Sequence, residues 1–97
     1  MTEEELEQER AVVTVLGSDK VGIVSEITQL LAKHNDNIAD ISKTLLEDLF
    51  TMIMLVELDD LDTDFETLNQ ELENKGEELE VKIMLQHEEV FRYMHRI

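Results

Sequence analysis

Ninety-seven residues, 42% of them hydrophobic, carry a formal charge of −16 with no cysteine and no proline. That length holds one core and leaves no room for a substrate domain beside a cofactor domain; lack of cysteine removes disulfides, thiolate metal sites and thiol nucleophiles, and the charge repels nucleic-acid phosphates and anionic lipid headgroups. No apolar run reaches the roughly 18 to 20 residues of a membrane span, and the N-terminus lacks the basic-then-apolar order of a secretory leader, so the expected address is the cytoplasm.

Met1–Glu9 holds five glutamates and no packing pattern, which predicts an acidic flexible tail, residues 1–9, ahead of a single domain over 10–97. Ala11–Leu16 is β-branched and apolar on both faces, as a central strand requires, and Gly17 is expected to end it. Ile23, Val24, Ile27, Leu30 and Leu31 then repeat at helical spacing, with Asp19 as the expected N-cap and Asn35 or Asn37 closing the helix in a left-handed conformation. Ile38–Leu46 reads as a strand whose alternation slips near Asp40, the mark of a bulge, and Glu47-Asp48 as a tight turn.

Leu49–Leu58 is a strand with Phe50, Met52, Met54 and Val56 on one face and Ile53 and Leu55 on the other. Thr63 and Glu66 form a capping box, Phe65, Leu68 and Leu72 give the stripe of a second helix, and Gly76 is its expected stop. Leu79, Val81, Ile83 and Leu85 alternate with polar neighbours as a half-buried strand, after which Val90, Phe91, Met94 and Ile97 suit a short terminal helix with Arg92 and Arg96 near its end. The order βαββαβ, with right-handed crossovers, predicts an α+β ferredoxin-like sandwich: both helices on one face of a four-stranded antiparallel sheet, plus the C-terminal helix. The other sheet face or an edge then needs cover from a second subunit or from that helix.

The segment Gly17-Ser18-Asp19-Lys20-Val21-Gly22 joins a strand to a helix start, where unpaired N–H groups and the helix dipole favour an anion such as a carboxylate. Gly22, read as lying in the first helical turn, costs about 0.8 to 1.0 kcal/mol against alanine, which points to close approach by a ligand or by backbone; a merely tight turn is the alternative. Gly17 and Gly22 have the glycine spacing of a P-loop, but Ile23-Val24 stands where Lys and Ser or Thr are needed. Asp60, Asp62, Asp64 and Glu71 take EF-hand positions with Phe65 at the glycine, so a capped acidic helix start is preferred to calcium. His34, His87 and His95 have no zinc spacing, and Ser18 and Asp19 have no evident histidine partner for a nucleophilic triad. No metal, cofactor or catalytic residue is expected. The methionines and phenylalanine of the third strand read as packing.

Val15-Leu16-Gly17-Ser18-Asp19-Lys20-Val21-Gly22-Ile23-Val24, followed by Asn37-Ile38 and Ile41-Ser42, resembles the opening of ACT domains. With Phe50-Thr51-Met52 and Val81-Lys82-Ile83, the chain is similar over Arg10–Ile97 to the stand-alone ACT proteins of the UPF0237 group. The resemblance implies a regulatory module that often dimerises side by side, as a homodimer or higher homo-oligomer, and binds an amino acid or similar ligand at the subunit interface. By position, Ser18, Asp19, Lys20, Val21, Gly22, Ile23 and Val24 form the ligand loop and Asn37 and Ile38 the facing strand start. A separate enzyme or regulator would receive the signal. Two other functions share the topology: an interaction module that oligomerises through its sheet without a small ligand, and an acylphosphatase-type hydrolase, which needs an arginine where this loop offers only Lys20.

Overall fold

A computed structural model of the chain describes residues 9–18 and 21–94. Asp19, Lys20, His95, Arg96 and Ile97 lie outside the described residues, as does the expected acidic tail apart from Glu9, whose carbonyl accepts from the Leu58 amide at 2.9 Å.

The elements run β1 (Arg10–Ser18), α1 (Ile23–Lys33), β2 (Asn37–Leu46), β3 (Leu49–Glu57), α2 (Phe65–Leu79), β4 (Lys82–His87) and α3 (Glu88–Met94). The four strands are antiparallel in the order β2-β3-β1-β4, so the two most apolar strands are central, as their patterns require. Ala11, Val13 and Val15 on one face of β1 join Phe50, Met52, Met54 and Val56 of β3 and Ile83 and Leu85 of β4. Ile23, Ile27, Leu30 and Leu31 of α1 and Leu68 and Leu72 of α2 close that core. The ladder between β2 and β3 shifts register between Ile38 and Asp40, where the alternation predicts a bulge.

On the opposite sheet face Val12 and Thr14 are buried, with α3 lying against β1 and β4. Arg10 holds Glu88 through two bonds of 2.8 Å, and Gln86 donates to the Met94 sulfur at 3.3 Å. The terminal helix therefore supplies part of the cover that the bare face needs. Toward the β2–β3 hairpin, Leu16, Leu46, Leu49 and Ile53 remain exposed.

Three boundaries differ from the sequence reading, each for a tertiary reason. Gly17 continues β1, pairing with Phe50 while Ser18 pairs with Leu49; a Cβ on Gly17 would stand 2.7 Å from Val81 Cγ1, so the glycine admits that side chain. Asp64 caps α2, accepting the Thr67 amide at 2.7 Å, and Thr63 lies outside the cap. Gly76 lies inside α2, which ends at Glu80 in the left-handed region (φ 60°), and β4 begins only at Lys82, so Leu79 closes the helix. At the other helix end the expectation for Asn35 holds: its φ is 61°, and the Asn35 and Asp36 amides donate to the Ala32 and Leu31 carbonyls at 3.0 Å, a Schellman closure.

Candidate functional site

Gly22 is the N-cap of α1, with φ 92° and ψ −4°. It stands one residue ahead of the helix, so the helix-interior cost argued from sequence does not apply to it. Nothing lies within 4 Å of where its Cβ would be, so the glycine serves a left-handed backbone and not a close approach by neighbouring chain. The N-cap role expected of Asp19 falls to a residue with no side chain. The amides of Ile23, Val24 and Ser25 precede the first intrahelical bond, from Glu26 N–H to the Gly22 carbonyl at 2.9 Å, and no side chain caps them.

Beside this helix start is a cavity of about 570 Å³ lined by Gly22, Ile23, Val24, Ser25, Thr28, Lys43 and Phe50. Lys43 reaches it from the edge strand, paired with Met52 and therefore on the helix-bearing face. In so acidic a chain its charge is conspicuous: Arg10, Lys33, Lys75 and Arg92 each pair with a carboxylate, whereas Lys43 has no such partner among the described residues. Backbone donors, the positive end of a helix and a lysine ammonium share one opening, an arrangement that favours a carboxylate or another small anion. A second concavity of about 420 Å³, between α1 and α2, has its lysines already engaged, Lys33 on Glu71 and Lys75 on Glu26 and Glu78.

The residues expected at the site divide. Gly22, Ile23 and Val24 line the cavity, Ile23 with its side chain in the core, while Val21 is fully exposed in the preceding turn and Ser18 ends β1 opposite Leu49. Asp19 and Lys20 lie outside the described residues. Asn37 and Ile38 are at the other end of the sheet, opposite Glu57 and Val56; nine strand steps separate Asn37 from Leu46, about 30 Å. Within one chain they do not meet the Gly22 cavity. Phe50 lines the cavity as well as packing in the core, the role its strand pattern predicts; Lys43, Ser25 and Thr28 went unread in the sequence, although a lysine on the core side of a bulged strand is a signal once the bulge fixes its face.

The other candidates have structural roles. The Asp60 carbonyl accepts from Asn35 Nδ2, Asp62 binds His34, Asp64 caps α2, and Glu71 binds both Lys33 and His34. His87 stacks on Phe65 with ring centroids 4.0 Å apart. Among the described residues no group of His, Asp and Glu is arranged to hold a metal ion, and no helix is long and apolar enough to cross a membrane.

Residues 9–86 match the family model of the ACT domain. A UPF0237 protein of Methanococcus maripaludis is 55% identical over 89 residues, 92% of this chain and 99% of its own length. An ACT domain protein of Streptococcus pneumoniae, 41% identical, superposes with a TM-score of 0.75 over 86% of this chain and 93% of that one. At 21% identity the regulatory subunit of aspartate kinase from Thermus thermophilus has the same fold, with a TM-score of 0.64 over 84% of this chain and 52% of that one.

Proposed function

Because the chain belongs to the ACT domain family, whose members are regulatory ligand-binding modules, we propose that it is a non-catalytic sensor of an amino acid or similar small carboxylate. The ligand carboxylate lies between the Val24 and Ser25 amides and Lys43. The observation that carries this reading is Lys43, without a carboxylate partner among the described residues, lining the same 570 Å³ cavity as an uncapped helix start.

The proposed site is completed by a second copy. β2 is an edge strand that exposes Ile41, Leu45 and Leu46, a surface that other chains readily extend. Antiparallel pairing of two β2 edges reverses one copy against the other, bringing the Asn37 end of one beside the Leu46 end of its partner. Asn37 and Ile38, which stand six and five strand steps from the cavity-lining Lys43, at most about 20 Å along a chain, then approach the cavity from across the interface. A ligand gripped by both copies favours the assembled form by its differential affinity, and that shift is the signal a separate enzyme or regulator would read.

Thermal unfolding against a panel of amino acids at millimolar concentration tests the sensor. A ligand at about 100 times its dissociation constant adds about 2.7 kcal/mol, which raises Tm by roughly 10 °C in so small a domain. Lys43→Ala should unfold at the unliganded wild-type temperature and lose that rise. A flat panel would instead favour the interaction module. Sedimentation velocity checks the interface: a wild-type dimer is expected, and Leu45→Glu should return it to monomer. A monomeric wild type, with or without the stabilising amino acid, would refute edge pairing.

A further inference from the structure

The corner between α1 and β2, residues 34–37, is built from titratable groups that the ligand cavity does not use. His34 is the C-cap of α1, with a side chain only 13% exposed. Its Nδ1 lies 3.0 Å from an Asp62 oxygen, and its Nε2 lies 2.8 Å from an oxygen of Glu71, whose other oxygen accepts from Lys33 at 3.2 Å. Ionised carboxylates only accept, so both contacts are hydrogen bonds only when the ring is protonated at both nitrogens. The neutral ring turns a lone pair toward one of the two carboxylates.

Two residues on, Asp36 is 7% exposed, and neither of its carboxylate oxygens has a hydrogen-bond partner among the described residues. It fills the position after the Schellman turn where an apolar side chain commonly packs against the helix, here beside the buried Leu31. Burial raises its pKa to about 6; the adjacent Asn37 amide, which lies outside hydrogen-bonding geometry, opposes the rise, Glu57 of β3 adds to it, and His34 opposes it. The corner is also tied to the chain between β3 and α2: Asp62 N–H donates to the His34 carbonyl and Asn35 Nδ2 to the Asp60 carbonyl, each at 3.0 Å, while Asn37 Nδ2 donates to Glu57 at 2.7 Å.

We propose that this corner is a proton-operated latch between α1, the start of β2 and the 58–62 segment, closed with a proton on each nitrogen of His34 and on the Asp36 carboxyl. Both protonations favour the same closed form. As both protons leave, a buried carboxylate faces Glu57 without a hydrogen bond and the His34 ring holds only one of its two partners, so the segment opens locally while the sheet stays folded. The latch is independent of whether the cavity takes a ligand.

Amide hydrogen exchange on the full chain, corrected for intrinsic rates, tests it at pH 5.5 and pH 8.0, with and without 1 M urea. The Asp36 and Asp62 amides should be protected about tenfold less at the higher pH. At that pH they should not respond to urea, because the opening exposes little surface. Asp36→Asn combined with His34→Gln should remove most of the pH dependence. The wild type alone supplies a second readout, ring ¹⁵N shifts of an imidazolium at His34 at pH 5.5. Equal protection at the two pH values, exchange that always follows urea, a pH response unchanged in the double variant, or a neutral ring at pH 5.5 would each overturn the latch.

Discussion

Gly76→Val should remove about 3 kcal/mol of stability, the overpacking cost of a side chain that meets backbone. A Cβ on Gly76 would stand 2.7 Å from the Val81 carbonyl oxygen and 3.2 Å from Ile83 Cγ1. No rotamer change moves a carbonyl, so α2 must lift away from β4. That loosens Leu72 and Ile83, both in the core. The same place binds the helix terminus to the strand, since Val81 N–H donates to the Gly76 carbonyl at 2.9 Å.

The smaller variant fixes the interpretation. In an open helix interior, Gly→Ala gains about 0.8 to 1.0 kcal/mol, so Gly76→Ala should be stabilising if the glycine were incidental and destabilising if close approach governs. Urea unfolding with an unchanged m-value reads the sign directly. An alanine variant more stable than wild type would sink the close-approach account. For the valine variant the expected fall in Tm is on the order of 10 °C or more.

Gly17, Gly76 and Val81 also show where reading the sequence stops. Residue type signals a glycine but not its purpose. Gly17 and Gly76 look like a strand end and a helix stop, whereas both admit Val81, which lies 64 and 5 residues away respectively. Periodicity, by contrast, reports which side chains share a face. It therefore placed the two faces of β3, the stripe of α1 and even the slip at Asp40. Helix starts fall between these cases: Thr63 and Asp64 are both able caps, and only the chain direction at Phe65 selects Asp64.

The candidate site was legible in its helix start and less so in its walls. Gly22, Ile23 and Val24 are contiguous and sit at a strand-to-helix junction, which local pattern can locate. Lys43 and Phe50 reach the cavity through strand pairing, and their proximity to Gly22 is a product of sheet order. Asn37 and Ile38 were grouped with the loop through the family resemblance alone. Their place at the far end of β2, opposite Glu57 and Val56, keeps them out of the cavity within one chain.

Asp36→Asn should stabilise the protein at neutral pH by up to about 3 kcal/mol and leave it nearly unchanged near pH 4. The carboxyl has a folded-state pKa raised to about 6 from an ordinary 3.8. The folded state thus holds a proton that the unfolded state has released across that interval, and stability falls as pH rises from about 4 to about 6, levelling off above. Roughly two pH units at 1.36 kcal/mol each set the ceiling of about 3 kcal/mol. Asparagine keeps the shape and removes the charge, although its amide is also buried, so the gain should lie somewhat below that ceiling. Asp64 and Glu71 act with the opposite sign: the Thr67 hydrogen bonds lower the first and, chiefly, the Lys33 hydrogen bond lowers the second, so their contributions are lost in acid. The wild-type curve sums these opposing trends, and the informative quantity is the difference between variant and wild type across pH 4 to 8 in urea unfolding. A difference that opens between pH 4 and 6 and stays open above assigns the cost to the Asp36 charge; one that is flat, or that closes as pH rises, would refute it.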